Sequence, residues 1–272
     1  MESIGQALKE AIRQTNPSLL ENIGEYDAEK YLHDKADTLN AVEGNLKGVN
    51  CCKCKNRGNI AIVKDGELRV RKCECMTARK SLWYIEQSGL KTLLDECAFD
   101  RYDATEPWQQ HALSLSKDYV ENGEDKWLFF GGNPGSGKTH LCTAVCGELL
   151  KQNHAVKYMM WASESKKIKA LINEAAEYEK LTKELKSVEV LYIDDFLKVK
   201  RGAQPTDADI NLAFEIIVYR DVKNLRTIIS SEKTIDDIIS LDEALGSRIN
   251  ARSKAFQMNI ALDKKKNYRL RK

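Results

Sequence analysis

A glycine-rich run ending in lysine and threonine, Gly132-Asn133-Pro134-Gly135-Ser136-Gly137-Lys138-Thr139, has the residue types and spacing to hold the phosphates of a nucleotide. Its glycines let successive backbone N–H groups close around phosphate oxygens, and a helix starting at its end adds a positive dipole terminus. In this pattern Lys138 reaches the β and γ phosphates, and the Thr139 hydroxyl binds Mg²⁺. All eight residues are expected nucleotide contacts. His140 is counted with them because its ring is expected near the nucleotide, with no chemistry assigned to it.

Phosphoryl transfer also needs a metal and an attacking water placed in line. The apolar run Val188-Glu189-Val190-Leu191-Tyr192-Ile193 ends in Asp194-Asp195, the form of a Walker B strand. Asp194 is expected to hold Mg²⁺ through water, and Asp195 to polarise the attacking water. Asp195 is shorter than the glutamate many such ATPases use there. Arg248 and Arg252, four residues apart, would share a helix face, from which an arginine can reach the nucleotide of a neighbouring subunit. The Ser230-Ser231-Glu232 stretch falls where a polar side chain would sense the γ phosphate.

Four cysteines suggest a different chemistry. Cys51 and Cys54 form a CxxC pair, and Cys73 and Cys75 a CxC pair. Between them, Asn59-Ile60-Ala61-Ile62-Val63 and Glu67-Leu68-Arg69-Val70-Arg71 flank Asp65-Gly66, a hairpin signal. A hairpin returns the chain on itself, so both pairs meet at its open end, where four thiolates would bind Zn²⁺ tetrahedrally and leave no open catalytic position. Cys52 is the alternative to Cys51 as ligand. Cys142 and Cys146 read as small core residues instead.

These groups must be positioned by strands and helices. Trp127-Leu128-Phe129-Phe130 reads as the buried strand before the phosphate loop, and Leu141, Val145 and Leu149 recur at helical spacing after it. With the Walker B run, 156–160, 226–230 and 256–260, this makes five strands separated by helix-length segments. That order predicts an α/β fold with a parallel sheet and helices on both faces. Residues 164–186 are expected to add one or two exposed helices.

The 272 residues carry 43 basic and 41 acidic side chains, but unevenly: residues 1–50 are net acidic, whereas 53–80 and the tail 264–272 are basic. Such asymmetry points to nucleic acid. No apolar run is long enough to span a bilayer, and Met1-Glu2-Ser3-Ile4-Gly5 lacks signal-peptide features, so the expected location is cytoplasmic, with no membrane partner. In that reducing compartment the eight cysteines are expected as metal ligands or core rather than disulfides.

The order of these motifs resembles the bacterial and phage replicative helicase loaders of the DnaC and DnaI type, within the AAA+ ATPases. The resemblance rests on a cysteine-bearing N-terminal module, a linker running from Ser88-Gly89-Leu90 to Phe99-Asp100, the phosphate loop, Ile193-Asp194-Asp195, Ile229-Ser230-Ser231-Glu232 and Gly246-Ser247-Arg248. It implies a helicase-interaction module with the zinc site over 1–80, a linker over 81–105, a AAA+ P-loop NTPase domain over 106–263 without a helical lid, and a basic tail over 264–272. It also implies ATP at Lys138 and Thr139, Mg²⁺ and water activation at Asp194 and Asp195, and trans or sensor roles for Arg248 and Arg252. The partners implied are a hexameric replicative DNA helicase, single-stranded DNA and further copies of the chain. Glu232 departs from the pattern, standing where many relatives carry a sensor asparagine. An ATPase helper of insertion-sequence transposition and a zinc-containing DNA-binding adaptor with a vestigial ATPase are the alternatives. The cysteine module favours the loader over the first, and ATP turnover separates the second.

Overall fold

The computed structural model describes residues 4–15, 27–87, 91–152, 154–200 and 202–270. Met1 to Ser3, the linker start Ser88-Gly89-Leu90, and Arg271 and Lys272 of the basic tail lie outside the described residues. The chain divides into two compact units, 1–74 and 75–272.

In the first unit, α1 (Ile4–Thr15) and α2 (Ala28–Ala41) precede a hairpin of β1 (Asn59–Lys64) and β2 (Glu67–Lys72). Asp27 caps α2, its carboxylate accepting from the N–H groups of Glu29 and Lys30. The hairpin register pairs Lys64 with Glu67 and leaves Asp65 and Gly66 as a two-residue loop, both at positive φ (55° and 72°). That geometry is why an Asp-Gly pair stands there. Asn40 ties α2 to the outer edge of β1, its amide donating to Ala61 O at 2.8 Å and its oxygen accepting from Ala61 N at 2.9 Å. An exposed strand edge thereby gains partners for its backbone groups.

The second unit opens with α3 (Cys75–Gln87), α4 (Lys91–Glu96) and a 3₁₀ turn at Phe99–Arg101, so residues 75–105 contribute helices to it. Next come α5 (Pro107–Asn122), β3 (Trp127–Gly132), α6 (Lys138–Lys151), β4 (Val156–Met160), α7 (Trp161–Ala170), α8 (Ala175–Ser187) and β5 (Val190–Asp194). The chain continues through α9 (Asp207–Val222), β6 (Arg226–Ser230), α10 (Ile235–Leu241), α11 (Glu243–Ser253) and β7 (Gln257–Ile260).

All strand pairs in the sheet are parallel, in the order β4-β5-β6-β3-β7. The three inner strands are buried along their whole length, which explains the apolar runs of β3 and β5; in β6 the buried polar residues Arg226, Thr227 and Ser230 are hydrogen-bonded, to Tyr119 O, Arg220 and Asp194. Alternate residues then divide between two cores. Trp127, Phe129, Leu191, Ile193 and Ile229 pack with residues of α7 to α11 on one face. Leu128, Phe130, Val190, Tyr192 and Ile228 pack with α5 and α6 on the other, where Cys142 and Cys146 are buried.

The segment expected as exposed helices is two helices, and they are not simply exposed. Ile168 of α7 and Leu185 of α8 enter the first core, because α7 begins directly at the end of β4 and must turn an apolar side inward.

Candidate functional site

The carboxyl ends of β3, β5 and β6 converge on one cavity of about 310 Å³, lined by residues 134–140 of the phosphate loop and α6, and by Asp195 and Glu232. β3 hands the chain to the loop at Gly132, and Gly137, at φ 86°, leads into α6. Parallel strands place their loops on the same edge, so this convergence follows from the topology.

Lys138 is 7% exposed and donates to Gly132 O at 2.8 Å and Asn133 O at 2.7 Å. Burial lowers its pKa to about 8, against the pull of nearby Glu232, Asp195 and Asp194. The Thr139 hydroxyl donates to Asp194 Oδ1 at 3.0 Å. Asp194 also accepts from Tyr192 at 2.8 Å, from Tyr158 at 3.1 Å and from Ser230. Burial pushes both tyrosine pKa values up, so the hydroxyls stay protonated as donors and orient the carboxylate. Thr139 and Asp194 offer hard oxygen donors side by side, a set that fits Mg²⁺.

Asp195 follows at φ 53°. Its Oδ2 pairs with Lys198 Nζ at 2.9 Å, and the same ammonium pairs with Glu232 Oε1 at 2.9 Å. Burial opposes the charge on Lys198, but the bonds to Asp195 and Glu232 prevail and raise its pKa. Of the stretch considered for γ-phosphate sensing, then, Ser230 is bonded to Asp194 and Glu232 to Lys198.

His140 packs edge-on to Tyr102 with ring centroids 5.4 Å apart, and its Nε2 lies 2.9 Å from Ala98 O. These contacts fasten the segment before α5 to the first turn of α6. Arg248 and Arg252 share α11 as their spacing implies, yet neither is among the cavity's lining residues. Both face Asp221 of α9, at 3.9 Å and 3.5 Å, and Arg252 also donates to Asn224 at 3.0 Å.

The basic tail has a location that charge alone did not indicate. The Asp263 N–H donates to Asn133 Oδ1 at 3.0 Å and the Tyr268 N–H to Gly135 O at 2.9 Å. A Cβ on Gly135 would meet the Asn267 side chain, and its φ of 71° is one that favours glycine. Lys266, Tyr268 and Arg269 line the cavity along with Tyr102 and Trp108. None of these five stands out by motif. The tail's composition shows its sign but not its contact.

A separate cluster gathers Cys51, Cys54, Cys73 and Cys75, whose sulphurs all lie within 4.8 Å of one another. Cys51 and Cys73 Sγ are 3.7 Å apart, close to the edge of about 3.8 Å in a ZnS₄ tetrahedron with 2.3 Å bonds. Positive φ at Lys55 and Asn56 turns the chain after Cys54, whose sulphur accepts from the Gly58 N–H at 3.3 Å. The turn brings Cys51 into the group, while Cys52 is exposed and outside it. The donor set and spacing fit Zn²⁺.

Residues 105–254 match the bacterial DnaA ATPase domain family. Over 91% of its length the chain is 28% identical to the phage-like element PBSX protein XkdC of Bacillus subtilis (strain 168), spanning 89% of that protein. Over 40% of its length it is 34% identical to the replicative helicase loader DnaC of Escherichia coli (strain K12), spanning 46% of that protein. The solved structure of DnaI superposes with a TM-score of 0.50 at 20% identity, covering 65% of this chain and 93% of that one, a likeness of fold. With more than half of its residues matched and a phosphate loop facing Asp194 across the sheet's carboxyl edge, the chain belongs to the bacterial DnaA ATPase domain family.

Proposed function

We propose that this protein is an ATP-dependent loader that places a hexameric replicative DNA helicase on single-stranded DNA, with ATP acting as an assembly and release switch. The observation that carries the reading is Lys138 and Thr139 lining the cavity, with Asp194 bonded to Thr139. The relationship to a protein named as a replicative helicase loader supports it.

In this reading Lys138 and the backbone N–H groups of residues 135–139 bind the ATP phosphates, the Asn133 N–H being bonded to Ile260 O and Pro134 having none. Thr139 and Asp194 would hold Mg²⁺, which would offset charge on the phosphates. Asp195 polarises the attacking water. Arg248 and Arg252, held on α11 outside the cavity of their own chain, serve the nucleotide of an adjacent copy. Cys51, Cys54, Cys73 and Cys75 hold Zn²⁺ as a structural ion in the helicase-binding module. A switch needs only different affinities in two conformations, so slow, DNA-stimulated turnover is sufficient.

A pull-down with the cognate replicative helicase, with and without ATP, tests the loader role. Retention is the expected result, and failure in both states moves the assignment to the transposition helper. The tail gives a further expectation. Because Lys266 and Arg269 line the cavity, deleting residues 264–272 should weaken ATP binding by roughly tenfold in calorimetry, the loss of about one charge-assisted contact.

A further inference from the structure

Four residues after the Walker B strand ends, the chain sets a lysine between two carboxylates on the cavity wall. We propose that Lys198 is a positioning residue for ATP hydrolysis, holding Asp195 in its working orientation and linking it to Glu232, two residues past the end of β6. The inference rests on the nucleotide reading above and adds a residue to it.

The loop that carries Lys198 is fixed at every step. Phe196 and Leu197, the latter at φ 55°, are fully buried in the first core. The Phe196 N–H donates to Ser230 O at 2.8 Å, the Ser231 hydroxyl to Phe196 O at 2.8 Å, and the Lys198 N–H to Asp195 O at 3.0 Å. A flexible lysine stem thus leaves from a rigid base, and its ammonium has two carboxylates within 2.9 Å. Asp195, Lys198 and Glu232 all line the cavity with Lys138 and Thr139. Surface ion pairs of this kind are weak when each side chain must be ordered for it alone. Here the backbone is ordered already by core burial, and the side chains are only 32–38% exposed.

The pair engages one oxygen of Asp195, Oδ2, and leaves Oδ1 for a water. It therefore restricts the carboxylate without consuming its acceptor capacity. This also gives Glu232 a role in place of the missing sensor amide: it anchors the far side of Lys198, so that the ends of β5 and β6 report on each other through one cation.

The test is steady-state ATP turnover with calorimetric ATP binding on the full chain, comparing Lys198→Met, Lys198→Arg, Glu232→Gln and the double variant Lys198→Met/Glu232→Gln. Lys198→Met is expected to lower kcat by about tenfold or more with KM within about threefold, the signature of lost orientation rather than lost binding. Lys198→Arg should restore most of the rate, because it keeps a cation between the carboxylates. Glu232→Gln should lower kcat by about threefold, and the double variant should be no slower than Lys198→Met, since the two residues act through one link. Lys198→Met turning over within twofold of the unaltered protein, or additive losses in the double variant, would overturn the assignment, as would an unaltered protein that binds ATP without turnover. Absence of ATP uptake by the unaltered protein would instead remove the nucleotide reading itself.

Discussion

Lys138→Ala is expected to lower ATP affinity by at least about a hundredfold while leaving the fold intact. A charge-assisted hydrogen bond is worth about 1.5–3 kcal/mol, and the lysine would make more than one to the β and γ phosphates, so the loss amounts to two or more decades. Folding should survive. Of the two carbonyls that Lys138 engages, Asn133 O also accepts from the Ser136 hydroxyl at 2.7 Å, and Gly132 stays paired with Ile260 in the sheet. The same lysine gives affinity a pH dependence of known sign. Without nucleotide its pKa is about 8, because burial disfavours the ammonium. Phosphate anions beside it favour the ammonium and raise that pKa, so binding takes up a proton above pH 8. Affinity should be level below about pH 8 and fall by up to tenfold per pH unit above it, and the slope should vanish in Lys138→Ala. Calorimetry across pH 7 to 9.5 checks both; a flat profile in the unaltered protein would show that Lys138 is already charged throughout this range without nucleotide, and unchanged affinity in Lys138→Ala would show that it is not the phosphate ligand.

Much of this arrangement is legible in the chain because its elements are local. The phosphate loop is contiguous, and the hairpin register follows from one Asp-Gly pair. β3 and β5 declare themselves because parallel strands covered on both faces read as near-continuous apolar runs, whereas β6 holds buried Arg226, Thr227 and Ser230 among its apolar residues. What escapes sequence reasoning depends on contacts between distant segments. Lys198 is one more lysine until Phe196 and Leu197 are seen to bury and hold its backbone under Glu232. The tail is a basic run until Asn267 and Tyr268 are found against Gly135. Arg248 and Arg252 announce a shared face by their spacing, but Asp221, which both approach, lies on another helix. Cys51, not Cys52, stands in the group, and its backbone is bonded on both sides to Asn56, a contact that residue spacing does not encode.

The second large effect is expected at the cysteine cluster. Purified full-length protein should contain about one zinc per chain, and Cys54→Ser or Cys73→Ser should lose it. Cys52→Ser should keep it, because Cys52 stands outside the group. Cys54 and Cys73 are both almost fully buried, and their surroundings are a two-stranded hairpin, an element that is marginal alone in water. A structural Zn²⁺ site contributes on the order of 10 kcal/mol to such a small element, more than the hairpin could supply by its own packing. Metal loss should therefore open residues 42–74 to protease. ATP binding should persist, since none of the four cysteines lines the nucleotide cavity. Protease cleavage and zinc content measured together on the three serine variants, with ATP calorimetry alongside, decide the matter. Less than half an equivalent of zinc in the unaltered protein would remove the metal, and full zinc retention in Cys54→Ser would remove this ligand set.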